Sequence, residues 1–599
     1  MSISLLSTAQ IRALSTTTVQ QLSTTQIGAM SSTQIGALSN SAVGTMSATQ
    51  IGALSTSQVR GLTATQIPYL DAQLSFSGQQ LAVLSEFQVK ALTTTQLSGL
   101  DETKVGALNT TQVRALTSAQ VGGLTTTDIG EFTSTQVRAL TVTQVGGLAS
   151  TQVNALTTTQ IGGLATSQVA ALSATGFSAL DSTQVGSLSN TQIAGVTATQ
   201  IRGLTAADVS ELSAAQVGAL NTSQIGALST TNLSALDATQ ATALSGTQLR
   251  ALSNTQVQGL STTDLGELSA TQVGGLTASQ IGALSSTGLN ALDATQVGAL
   301  STTQVRGLTN AQLGGLSTTD VGELSATQIG ALSATQVGAL GATNLAALST
   351  TQITGLTASQ IGGISATALS SLDATQVGSL SNTQIRGVTA TQISGLSTTD
   401  VGELTATQIG GLAASQVAAL SATGFSALDA TQVGSLSNTQ IAGVTATQIR
   451  GLTAADVGEL SAAQVGALGI SQIAALSATN VSALDATQVG GLSTLQLRGI
   501  TSTQVAGLSS SDVEELSSTQ LSSLSGSQIS ALSATVIAAL TSTSLEPFTS
   551  TQIRALSSTQ IDQLSTTNIG TLSETQLAGF DATQVGSMTD EQITSYLGL

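Results

Sequence analysis

Seven times along the chain an Asp is followed three residues later by a Glu: Asp128/Glu131, Asp208/Glu211, Asp264/Glu267, Asp320/Glu323, Asp400/Glu403, Asp456/Glu459 and Asp512/Glu515. These carboxylates are the side chains best suited to chemistry, because the sequence contains no His, Cys or Trp. Paired carboxylates can carry out acid–base catalysis or give hard oxygen ligands to calcium. Seven copies at regular steps are a structural signature, whereas an active site is one constellation, and the many Ser and Thr hydroxyls have no His to activate them. The sequence therefore reads as a non-enzyme with no organic cofactor. The ligand reading is calcium held between layers of the fold, with Asp128, Glu131, Asp264, Glu267, Asp320, Glu323, Asp400 and Glu403 as candidate ligands. The plainer reading sets the acids near helix N-termini, where negative charge is favourable. It pairs them across layers with Arg250, Arg306, Arg386, Arg498 and Arg554.

The elements that must position these acids are repeats of eight residues. Leu22-Ser23-Thr24-Thr25-Gln26-Ile27-Gly28-Ala29 is one such octad, and variants of it make up almost the whole chain. Ser23 and Gln26 have the spacing of a capping box, and Leu22 and Ile27 that of a hydrophobic staple. Gly28 and Ala29 are expected to let the chain leave the helix and let another backbone approach. Each octad thus predicts a helix of roughly one and a half turns, too short to stand alone. One continuous helix is excluded, since steps of eight residues rotate the apolar face by about 80° each time. A β-solenoid is the alternative, because Thr, Val and Ile favour strands. Its period-two alternation is absent, however. The expected fold is an all-α solenoid of very short capped helices, one per octad, with a solvent face of Ser, Thr and Gln.

Octads run in phase from Leu6 to Leu70, and again from Leu84 through Leu540. This divides the chain into N-terminal repeats over residues 1–70, a register break over 71–83, a continuous solenoid over 84–540 and a divergent C-terminal cap over 541–599. The break reads as a six-residue insertion bulging at the surface, or as the edge of an N-terminal cap. Above the octad lies a slower rhythm. Successive Asp/Glu pairs are separated by ten, seven, seven, ten, seven and seven octads. A second Asp series replaces the capping hydroxyl a little over three octads before each pair, at Asp101, Asp181, Asp237, Asp293, Asp373, Asp429 and Asp485. A third series loses the Gln, at Gly176, Asn232, Gly288, Asn344, Ala368, Gly424, Asn480 and Val536. Steps of three, seven and ten octads are positions on one side of a superhelix with about 3.4 octads, or roughly 27 residues, per turn, by the logic that reads a heptad. At about 10 Å per layer such a solenoid would be a rod on the order of 200 Å long.

Composition narrows the partners. With 40% hydrophobic and only 7% charged residues, the chain does not read as disordered. A net charge of −18 excludes a basic stripe for nucleic acid and disfavours an anionic membrane surface. No apolar run reaches the length of a transmembrane helix, and the start Met1-Ser2-Ile3-Ser4-Leu5-Leu6 shows no cleavable signal peptide.

Residues 54–62, LSTSQVRGL, and 108–116, LNTTQVRAL, resemble units of long, low-complexity repeat proteins of bacteria built from LSTTQIGAL-like octads. That resemblance implies a surface or secreted molecule, adhesin-like or filament-forming, exported without a cleavable signal peptide. The expected function is an extracellular structural protein that self-assembles into a filament, sheath or surface layer, with itself as partner. The alternatives are an adhesin stalk that binds glycan or ice through a Thr-rich face, and an intracellular scaffold or length ruler.

Overall fold

The computed structural model describes residues 3–599. Among these residues are 72 α-helices, each four to seven residues long, two short 3-10 turns and no strand. The helical reading of the octad therefore holds against the β-solenoid. Two compact units are present, one ending at Leu300 and the other running from Ser301 to Leu599. Both are built in the same way.

The capping box forms as its spacing requires. Ser23 Oγ accepts from Gln26 N–H at 3.2 Å, and Ser23 N–H donates to Gln26 Oε1 at 2.9 Å. In the second unit, Thr389 and Gln392 repeat this at 3.3 and 2.7 Å. The helix exit does not use a left-handed residue. Among the described residues, Leu74, Gly341 and Gly598 are the ones with positive φ. Gly28 is still helical and Ala29 ends the helix in the right-handed region. The small residues serve the other expected purpose at particular positions. A Cβ on Gly61 would stand 2.2 Å from the Ser32 carbonyl oxygen, and one on Gly387 the same distance from that of Ala358.

Each helix packs on the third helix along the chain, as in Ser32–Ala37 on Thr56–Gly61 and Ala358–Gly363 on Asn382–Gly387. The Leu that closes each octad and the Ile or Val in its helix fill the interior, as with Ile353, Leu356, Ile361 and Ile385. Such a helix forms only because its apolar side chains are buried against neighbouring turns.

The glutamines are not on the solvent face. Nearly all are buried, Gln58 and Gln392 to 2 and 3% exposure. The capping box uses only the amide oxygen, which leaves two N–H donors. Gln58 Nε2 donates to the carbonyls of Ile27 at 2.6 Å and Met30 at 2.8 Å. Gln392 Nε2 does the same to Ile361 at 2.7 Å and Ile364 at 2.8 Å. These acceptors are carbonyls at the C-terminal end of a helix, which lack a partner within it. One side chain thus caps the start of its own helix and the end of another, nearly four octads earlier. Helices pack three octads apart while the glutamines reach four octads back, so a turn holds between three and four octads.

Residues 71–76 do not bulge. Leu74 and Phe76 are buried at 0 and 1% exposure. Ser75 is held by Asp71, its hydroxyl donating to Oδ2 at 2.6 Å. Ser77 and Gln80 resume the capping box. Gln80 then reaches the carbonyl of Leu54, a separation of 26 residues where Gln66 to Leu38 is 28. The segment is therefore one octad shortened by two residues, holding its place in the turn with core side chains in place of a helix. Leu74 accepts φ 39° there, a conformation that costs a non-glycine residue about 1 kcal/mol or more.

Candidate functional site

Where Asp replaces the ladder Gln, half of its role survives. Asp208 Oδ2 accepts from Thr205 N–H at 2.8 Å, and Asp208 N–H donates to Thr205 Oγ1 at 3.2 Å. A carboxylate has no N–H to give to the earlier turn. The bond across turns is reversed instead: Ser178, in an earlier turn, donates its hydroxyl to Asp208 Oδ2. The same contact joins Ser98 to Asp128, Ser370 to Asp400, Ser426 to Asp456 and Ser482 to Asp512. Ser234 donates to Asp264 at 2.6 Å. Five of these serines stand two residues after Gly176, Asn232, Ala368, Gly424 and Asn480. Two rhythms that look independent in the sequence are therefore opposite sides of one contact. The Asn members of the third series keep part of the ladder, since Asn232 and Asn480 Nδ2 reach Leu204 and Leu452 at 2.9 and 2.8 Å.

Loss of the Gln amide leaves space in the core. A cavity of about 30 Å³ lies beside Asp400, walled by Leu369, Leu372, Ile385 and Leu404. Similar apolar spaces adjoin Asp264 and Asp512. Each has room for a water or two and none for an organic ligand.

Each Glu follows its Asp on the same helix or at its end. One carboxylate oxygen of Glu131, Glu211, Glu459 and Glu515 is buried without a hydrogen-bond partner. Burial, and then the neighbouring Asp208 and Asp181, push the Glu211 carboxyl above its ordinary value. Glu267 is raised by burial, Asp264 and Asp237, and Glu131 by burial, Asp128, Glu102 and Asp101. Glu459 and Glu515 repeat the pattern with Asp456 and Asp429, and with Asp512 and Asp485. The capping Asp one turn earlier thus joins these five pairs electrostatically, as its offset of a little over three octads implies.

The candidate calcium ligands divide accordingly. Asp128, Asp264 and Asp400 are each engaged by a Ser hydroxyl, while Asp320 Oδ2 accepts from Ser317 N–H and Oγ at 3.0 and 2.6 Å. Glu131, Glu267, Glu323 and Glu403 are half-buried beside them. Among the described residues, no three His, Cys, Asp or Glu side chains are grouped so as to hold a metal ion. Calcium takes six to eight oxygens, more than one Asp/Glu pair supplies by itself.

The arginines do not pair with the acids as the plainer reading expected. Arg250, Arg306, Arg386, Arg498 and Arg554 donate Nε–H to backbone carbonyls one turn further on, those of Gly275, Ala331, Gly411, Ser523 and Gly579, at 2.8, 2.9, 3.1, 3.1 and 3.4 Å. The reason is register: the octad next in line across the turn presents a carbonyl there. Lys104 Nζ does lie 4.0 Å from Asp101 Oδ2.

Sequence reasoning missed the Gln ladder and the Ser-to-Asp contact. Both were signalled, the first by a carboxamide where a capping box also accepts Glu, the second by the constant offset between the two series.

The ALTTAQ repeat family matches residues 3–40, 101–134, 129–166 and 278–310. The chain is therefore a tandem-repeat protein, similar to ALTTAQ repeats over these stretches. No curated protein matches the chain. Among the described residues, no helix is long and apolar enough to cross a membrane.

Proposed function

We propose that this is an extracellular structural protein, exported from the cell, whose solenoid self-assembles into a filament, sheath or surface layer. The observation that carries this reading is the ladder. Gln352, Gln360, Gln384 and Gln392 tie one turn to the next through hydrogen bonds to backbone carbonyls. Such a network resists bending and stretching at every layer and offers no enclosed site for a substrate. Nearest-neighbour contacts of this kind are how repeat arrays build length from a small unit. The exposed Thr24 and Thr25 pattern, repeated along the chain, favours the adhesin stalk as second reading, with a hydroxyl-rich face for a glycan or ice. Electron microscopy of the purified chain across a concentration series tests the choice. Growing filaments or sheets support a structural polymer. Particles that stay single at every concentration, yet bind immobilised glycan or ice, favour the stalk.

A further inference from the structure

The regularly spaced charges of each unit form two rows, from which Arg202 and Arg450 stand apart. Because an octad packs on those three and four places away, seven octads lead two turns along the solenoid and ten lead three, returning to the same side. Acids spaced by seven and ten octads therefore share a side, and so do arginines with that spacing. In the second unit, Arg306, Arg386 and Arg498 precede Asp320, Asp400 and Asp512 by the same interval, just under two octads. In the first, Arg114 and Arg250 precede Asp128 and Asp264 by that interval again. Two octads are a little over half a turn, so the arginine row runs opposite the acid row. All five arginines are exposed. At Arg250, Arg306, Arg386 and Arg498 only Nε is engaged by a backbone carbonyl, which fixes the stem and leaves the outer guanidinium nitrogens facing solvent. On the acid row the capping residues Asp373, Asp429 and Asp485 are exposed beside the half-buried pairs.

We propose that the arginine row of one copy docks against the acid row of a second copy, side by side, parallel and in register. The partner is a second copy because Arg306, Arg386 and Arg498 each have an acid pair at one constant offset, at Asp320, Asp400 and Asp512, with the further pair at Asp456 lying between the last two. A reversed copy would bring only the two outer pairs together and leave Arg386 with no acid pair opposite it. A single exposed pair contributes about 1 kcal/mol or less. A row fixed on a repeating scaffold engages several pairs together without ordering each one anew. Unlike faces meet in this contact, so each docked copy presents a fresh row to the next, and growth is open-ended. The inference rests on the self-assembly reading above and specifies its surface and register.

The test is sedimentation of the full chain and two double variants. Arg386→Glu/Arg498→Glu reverses the row. Arg386→Lys/Arg498→Lys keeps the charge but loses the planar fork, which controls for effects on folding. Wild type and the Lys variant should associate, and the Glu variant should need at least tenfold higher concentration. Register is read separately by mixing Thr383→Cys and Thr399→Cys chains with a bifunctional maleimide, which is clean because the native chain has no Cys. Thr383 and Thr399 are exposed in the octads of Arg386 and Asp400, so this pair should cross-link. Thr383→Cys mixed with Thr319→Cys, beside Asp320, should not. A Glu variant that associates like wild type, a Lys variant that fails with the Glu variant, or equal cross-linking in both mixtures overturns the inference and leaves self-assembly standing. A wild type that stays monomeric throughout overturns both.

Discussion

One side chain, the ladder Gln, serves two helices at once. Its oxygen caps the helix that carries it, and its two N–H groups cap the end of another helix. Asp400 lacks those donors and stands beside a cavity. Restoring them with Asp400→Gln should therefore raise stability by about 1 kcal/mol, the ordinary net worth of a buried hydrogen bond. Thermal unfolding followed by circular dichroism checks this, and an unchanged or lower midpoint counts against the ladder as the source of stability. The raised glutamates set a pH dependence. Glu131, Glu211, Glu267, Glu459 and Glu515 hold their protons more tightly folded than unfolded. Their contribution is then fully present below the ordinary carboxyl value of 4.5 and is lost as pH rises through the raised folded values. The unfolding midpoint should fall as pH rises above 4.5, and Glu211→Gln/Glu459→Gln should flatten that slope.

At the scale of the element, the octad is a helix start, a turn and a half, and an extended Leu that hands over to the next cap. Glycine tests how tightly neighbouring turns approach. Gly387→Ala would drive a Cβ to within 2.2 Å of the Ala358 carbonyl oxygen, whereas at Gly378 a Cβ meets nothing within 4 Å. Gly387→Ala should destabilise by about 1–3 kcal/mol, as overpacking does, and Gly378→Ala should be neutral or stabilising by up to about 1 kcal/mol. Chemical denaturation of the two single variants separates them. Much of this element was legible in the sequence. Ser23, Gln26 and the Leu22/Ile27 pair specify the cap, the staple and the length by local spacing alone. The burial of side chains such as Gln58 and Gln392 was not legible, because the second set of partners lies four octads away. The register break over residues 71–83 was legible for a related reason only in part: counting residues reveals the break but not that Leu74 and Phe76 keep a place in the core.

At the scale of the whole molecule, the slow rhythm of the sequence and the layering of each unit agree. The seven- and ten-octad steps of the acid series require between three and four octads per turn. Gln contacts reaching nearly four octads back and Arg contacts reaching just over three octads forward enclose that value from both sides. The central claim is that the start of a helix is bonded to the end of the helix four octads earlier through one Gln. Hydrogen-exchange mass spectrometry of Gln392→Met tests it most directly. Met keeps the length and apolar stem but removes both halves of the amide. The account predicts faster exchange in two separated places, residues 389–396 and 357–364, with the octads between them changed less. Faster exchange confined to residues 389–396 would contradict it.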